Sequence, residues 1–192
     1  MSQNVNIIRQ RKGQIRKEII RRLRDQAPSL RERRSRKIQE KLLSCEEFRD
    51  SRTVMSYVSL PSEVDTRYFN KEALKQGKRV AVPYIESDNT KIRASEFTTI
   101  ESLEEGPFGI FQPKDGLVRV ISLKEIDLIV VPAIAFDRSN MRLGRGKGYY
   151  DGFLAEEDLA SSTAIGLAFH FQMVEQLPSD PHDRPVSMVL TD

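Results

Sequence analysis

Apolar residues recur at four-residue steps near the start of the chain, where Ile15, Ile19 and Leu23 form one narrow stripe on an otherwise basic stretch. That period predicts an amphipathic helix over residues 9–26, which Pro28 ends. Ser29 followed by Glu32 has the spacing of a capping box, in which each side chain bonds the other residue's backbone N–H, and so predicts a second helix. Ile38 and Leu42, with Leu43 or Cys45, line one face of it as far as Phe48. The pattern then changes. TVMSYVSL, residues 53–60, is a β-branched and aromatic run of strand length, closed by Pro61 and the polar turn Ser62-Glu63. Asp65 or Thr66 is placed to cap a helix through Lys75, with Gly77 as its stop.

Further along, residues 79–83, RVAVP, read as a short strand, and residues 91–97 alternate as an edge strand does. GPFGIFQP, residues 106–113, carries too many turn formers for regular structure. Ser122 and Glu125 predict a capped turn before DLIVVP, residues 127–132, which is apolar on both faces as a central parallel strand must be. Residues 133–136 stay apolar, residues 142–151 are glycine-rich, and a helix opens at Tyr149 or Tyr150. TAIGLAF (163–169) and SMVLT (187–191) supply two further strands. Strands separated by helical stretches predict an α/β fold: a mainly parallel sheet flanked by helices, led by two basic N-terminal helices. Residues 1–192 read as a single domain, with residues 1–50 a basic helical segment packed on its core.

Composition narrows the chemistry. At 192 residues and 39% hydrophobic, the chain is long enough for one core. No run approaches 18 consecutive apolar residues, and the start lacks an apolar segment followed by a small-residue cleavage site. A cytoplasmic protein with no membrane partner is expected. The single cysteine, Cys45, offers neither an internal disulfide nor zinc-finger spacing, and His170 and His182 cannot form HExxH. Any metal is therefore held by oxygen. The net charge of +3 conceals an asymmetry: residues 9–41 hold 14 basic and four acidic side chains, a balance of +10, and the remainder stands at −7. A solvated helical face or a polyanionic ligand accounts for this. Nucleic acid does not, since the chain lacks Trp and no aromatic residue interrupts the basic segment to stack on bases.

In RLGRGKGYYD, Gly144, Gly146 and Gly148 alternate with Arg145 and Lys147 between a buried strand and a helix. Glycines permit positive φ and close backbone approach, so successive N–H groups can converge on an anion while Arg142, Arg145 and Lys147 neutralise it. A phosphate suits such a loop. Neither GxxxxGK[ST] nor the dinucleotide pattern is matched, because Lys147 is followed by Gly148 and position 149 is Tyr149. Asp137 and Asp151 flank the loop. A carboxylate beside a bound triphosphate is a credible Mg²⁺ ligand, although Asp151 could equally serve only as a helix N-terminal charge.

The run IVVPAIAFDRSNMRLGRGKGYYDGFL, residues 129–154, resembles the signature of the 5-formyltetrahydrofolate cyclo-ligases, also called methenyltetrahydrofolate synthetases. KGQIRKE, YVSLPSEVDT, GKRVAVP, GPFGIFQP, IGLAFHFQ and LPSDPHDRPVSMVLTD agree with that family in the same order, covering nearly the whole chain. The resemblance implies conversion of 5-formyltetrahydrofolate, with or without a polyglutamate tail, to 5,10-methenyltetrahydrofolate, using ATP and Mg²⁺ and releasing ADP and phosphate. It implies an ATP site at Lys12, Gly13, Gln14, Ile15 and Arg16 together with Arg142, Leu143, Gly144, Arg145, Gly146, Lys147, Gly148, Tyr149 and Tyr150. Arg145, Lys147 and Tyr150 would be catalytic, Val58, Glu63 and Tyr149 would meet the folate, and Asp151 and Asp183 would serve Mg²⁺. The enzyme would act as a monomer. Two positions depart from the family pattern: Ala133 stands where glycine is expected and Gln112 where glutamate is. The competing reading is a sugar-phosphate isomerase or CoA-transferase-like enzyme, which would bind phosphate without consuming ATP.

Overall fold

The computed structural model describes residues 2–86 and 91–192. Three helices lead the chain: α1 (Ser2–Arg24), α2 (Pro28–Ser44) and α3 (Glu46–Asp50). There follow β1 (Thr53–Met55), α4 (Arg67–Lys75), β2 (Arg79–Ile85), β3 (Ile92–Phe97), β4 (Leu103–Glu105), β5 (Phe111–Pro113), β6 (Leu128–Pro132), β7 (Ala135–Asp137) and β8 (Arg142–Leu143). The last elements are α5 (Tyr149–Leu154), β9 (Thr163–Ala168), β10 (Met173–Val174) and β11 (Met188–Thr191).

The main sheet runs β11-β9-β6-β1-β2-β3 and is parallel except at its edge, where β3 lies antiparallel to β2. Its middle strands are apolar on both faces because both faces are covered. Val54, Leu128, Val130 and Ile165 face a core shared with Ile19 and Leu23 of α1, Ile38 and Leu42 of α2, and Phe48 and Phe69. Met55, Ile129, Val131 and Ala164 face the opposite way, onto Phe136, Phe153 and Leu159. The expected α/β architecture, a mainly parallel sheet between helices, is the observed one.

Several boundaries differ from the sequence reading. The second helix starts one residue before Ser29: Pro28 occupies its first turn after Ala27, and no side chain caps it. Pro28 thus opens a helix, a position where its missing N–H costs nothing. That helix breaks at Cys45, whose extended backbone separates α2 from α3. The strand at residues 53–60 pairs only through Met55, after which the chain leaves the sheet towards the cleft described below. Thr66 precedes α4 without capping it, because its hydroxyl is bonded to the Tyr57 carbonyl, and Asp65 Oδ1 takes the Arg67 N–H at 2.8 Å instead. GPFGIFQP, expected to be irregular, closes a two-stranded β4–β5 hairpin. The capping box at Ser122 and Glu125 is present. Residues 135–137 and 142–143 form a second sheet with β10, and this sheet carries the start of the glycine loop.

Candidate active site

Beyond the carboxyl ends of β1 and β6, where open α/β sheets collect ligands, segments far apart in the chain converge on one cleft. β8 delivers the glycine loop to it. Gly146 and Gly148 hold φ of 102° and 75°, values that glycine adopts without strain, and Gly148 immediately precedes α5. The Gly144 carbonyl accepts a 2.8 Å hydrogen bond from Arg16 Nε, which ties α1 to the loop. The Lys147 ammonium lies 4.8 Å from the centre of the exposed Phe108 ring across the mouth of the cleft.

Behind the loop, Arg142 is buried, with Nη2 2.7 Å from Asp151 Oδ1 and its guanidinium over the Tyr150 ring. Burial lowers the Arg142 pKa, Asp151 opposing it, and the group remains charged. Its Nε and the buried Tyr150 hydroxyl have no hydrogen-bond acceptor among the described residues, while Nη2 is held by the ion pair with Asp151. Burial, reinforced by the negative charge of Glu63, raises the tyrosine pKa, so that hydroxyl stays protonated. Buried donors without acceptors are rare and costly. Here they face a cleft, and an anionic oxygen would complete them.

Lys12 Nζ donates to Asp183 Oδ2 at 2.6 Å and to Asp180 Oδ2 at 2.9 Å. Burial works against its charge, but the bonds to the two carboxylates outweigh it and raise the Lys12 pKa. On the other wall, the Leu60 N–H donates to Glu63 Oε2 at 3.0 Å, and Arg145 Nη2 to Glu63 Oε1 at 3.1 Å. Val58 is buried beside them, and the Tyr57 hydroxyl is spent on the Val64 carbonyl at 3.2 Å. Pro83, Ile92, Ile110, Pro132 and Ala133 complete an apolar lining. The cleft thus combines a cationic, glycine-rich wall with apolar and aromatic surface, which suits a phosphate chain and a flat heterocycle together.

Residues 8–192 match the model of the 5-formyltetrahydrofolate cyclo-ligase family. The chain belongs to that family. It is 32% identical over 184 residues to the 5-formyltetrahydrofolate cyclo-ligase of Mus musculus, covering 92% of this chain and 91% of that one. Against the Haemophilus influenzae cyclo-ligase it is 29% identical over 183 residues, covering 94% and 97%. Its fold superposes on the 5,10-methenyltetrahydrofolate synthetase of Aquifex aeolicus with a TM-score of 0.81 and 33% identity, over 94% of this chain and 89% of that chain. Family membership sets aside the isomerase and CoA-transferase readings.

Of the residues that the cyclo-ligase resemblance singled out, the cleft gathers Lys12, Arg16, Val58, Glu63, Asp183 and every position from Arg142 to Asp151. It leaves out Gly13, Gln14 and Ile15. A helix turns one residue in four to the same side, so Lys12 and Arg16 reach the cleft while Gly13 and Gln14 face solvent and Ile15 packs on the core. Asp151 and Asp183 are each engaged with a cation, Arg142 and Lys12. Gln112, the departure from glutamate, accepts the Ile85 N–H at 3.1 Å and packs against Gly106, so it braces the hairpin. Sequence reasoning missed Asp180 and the apolar lining. Pro83 and Pro132 carried a signal, since each stands at or near the carboxyl end of an apolar run; Asp180 carried only that of a turn.

Proposed function

We propose that this chain is an ATP-dependent ligase that closes the ring of 5-formyltetrahydrofolate to give 5,10-methenyltetrahydrofolate, ADP and phosphate. The observation that carries this reading is the set of buried, acceptorless donors on Arg142 and Tyr150 beside the glycine loop, in a chain of this family. A formamide carbonyl is a poor electrophile with a poor leaving group. In the proposed reaction the formyl oxygen attacks the γ-phosphorus and ADP leaves; N10 then attacks the formyl carbon, loses its proton, and phosphate departs with the formyl oxygen. The protein's share is alignment and charge neutralisation.

Lys12, Arg16, Arg142, Arg145 and Lys147 supply positive charge around the phosphates, and the Tyr150 hydroxyl donates a neutral hydrogen bond. Glu63, fixed by Leu60 and Arg145, keeps carboxylate lone pairs for the N–H donors of a pterin ring, with Val58 and Tyr149 beside it. The donor set also fits Mg²⁺. No cluster of three or more potential side-chain ligands exists among the described residues, and Mg²⁺ typically uses one or two carboxylates plus phosphate oxygens and water. Asp151 and Asp183 would hold it, and it would supply neutralisation of the charge on the transferred group. A polyglutamate tail on the folate would find the exposed cations of α1 and α2. One chain supplies the whole cleft, which suits a monomer. A reducing cytoplasm suits the free Cys45, and no helix among the described residues is long and apolar enough to cross a membrane.

The test is an omission assay. With 5-formyltetrahydrofolate, MgATP and protein, the methenyl chromophore and ADP should rise in equal amounts, and leaving out any one component should abolish both. Chromophore formed without ATP, or ADP formed without folate at the same rate, would refute the reading.

A further inference from the structure

Lys12 lines the cleft one helical turn before Arg16, which bonds the glycine loop, and two carboxylates from a distant loop hold its ammonium. One of them, Asp183, already has a place in the proposed site. The other does not. We propose that Asp180 is a positioning residue for nucleotide binding, acting through Lys12; this rests on the functional reading above.

An ammonium has three N–H donors arranged as a tripod. A single partner would leave that tripod free to swing about one bond, whereas bonds of 2.6 Å to Asp183 and 2.9 Å to Asp180 fix two donors and so fix the direction of the third. Among the described residues, no third acceptor takes it. The Lys12 side chain is only 11% exposed, so water does little to define its orientation, and the carboxylates do most. The loop that presents them is itself tied together: the Asp180 N–H donates to Asp183 Oδ2 at 2.9 Å, and Asp180 Oδ1 accepts the His182 N–H at 3.1 Å. Asp180 therefore uses one oxygen to shape the turn and the other to aim Lys12. Its side chain is 39% exposed, so its removal takes nothing from the core.

Charge alone argues the opposite way. Removing a carboxylate near a phosphate site should, by simple Coulomb attraction, tighten binding of a polyanion. Positioning predicts weaker binding. Asp180→Asn separates the two roles, because asparagine keeps an oxygen to cap the turn while losing the charge-assisted bond to Lys12, which is about twice as strong as a neutral one. The KM for MgATP should rise about fivefold in Asp180→Asn and about tenfold or more in Asp180→Ala, as expected when a bond to a charged group is weakened or lost. The KM for 5-formyltetrahydrofolate and the melting temperature should stay near wild type. Calorimetric titration with a non-hydrolysable MgATP analogue, without folate, should show the same loss of affinity. Unchanged or tighter nucleotide binding in both variants would overturn the proposal, as would equal increases in both KM values. Wild-type protein with no activity but normal analogue binding that Asp180→Asn weakens would leave the positioning role standing and sink the functional reading instead.

Discussion

Arg142→Met replaces a buried guanidinium with an apolar side chain of similar length, and it should separate stability from ligand binding more sharply than any other substitution in the cleft. In the free protein the guanidinium is a mixed asset. It pairs with Asp151 through Nη2 at 2.7 Å, but its Nε lacks an acceptor, and such a buried donor costs about 1–3 kcal/mol. Asp151 is a quarter exposed and regains water when the pair is broken, so the penalty for leaving a carboxylate alone is modest. The opposing effects leave the free protein within about 2 kcal/mol of wild type. Nucleotide binding has no such compensation. Losing the charged hydrogen bond that Nε would give an anion removes up to about 3 kcal/mol, roughly a hundredfold in affinity. At a nucleotide concentration of about 100 times the wild-type Kd, ligand binding stabilises wild type by about 2.7 kcal/mol and the variant by about 0.4 kcal/mol. For a chain of this size that corresponds to melting-temperature gains of about 5–11 °C and about 1–2 °C. A thermal-shift titration with a non-hydrolysable MgATP analogue reads both numbers. The reasoning fails if the variant gains as much as wild type, or if its unliganded melting temperature collapses.

Lys147→Ala should lower turnover on the order of tenfold to a thousandfold with little change in melting temperature, since this exposed side chain leans on the Phe108 ring rather than on the core; near-normal steady-state rates would remove it from the site. Asp151→Asn and Asp183→Asn should each raise the Mg²⁺ concentration needed for half-maximal activity, and the double variant should show less than the product of the two effects if they serve one ion; a normal Mg²⁺ requirement in Asp183→Asn would leave that residue only its structural bonds with Lys12 and the Asp180 N–H. Gly166→Ala, outside the cleft lining, should cost about 1–3 kcal/mol or more in chemical denaturation. Its new methyl would stand 2.5 Å from Cζ of the fully buried Phe136, and a wild-type denaturation midpoint would show that the core yields there.

The parts of this molecule legible in its sequence are those where one local pattern meets one physical demand. DLIVVP is apolar on both faces because β6 is covered on both, and Ile19 and Leu23 recur because α1 buries one stripe. The glycine loop announces itself because anion binding by backbone N–H groups needs residues without side chains. What stayed hidden depends on partners far away in the chain. Thr66 looks like a helix cap, yet the Tyr57 carbonyl, brought close by the turn between them, claims its hydroxyl. GPFGIFQP looks like a loop, yet pairing between Leu103–Glu105 and Phe111–Pro113 makes it a hairpin tip. Lys12 and Asp183 each read as a site residue, but nothing local says that they bind each other, with Asp180 as the third member.

Phosphorylation of the formyl oxygen is the proposed step that drives ring closure in this cleft. Substrate carrying ¹⁸O in its formyl group, converted by the protein with unlabelled MgATP in unlabelled water, tests it most directly. The label should leave with the inorganic phosphate, one ¹⁸O for each methenyl product formed, and ADP should carry none. Label recovered in water, with unlabelled phosphate, would contradict it.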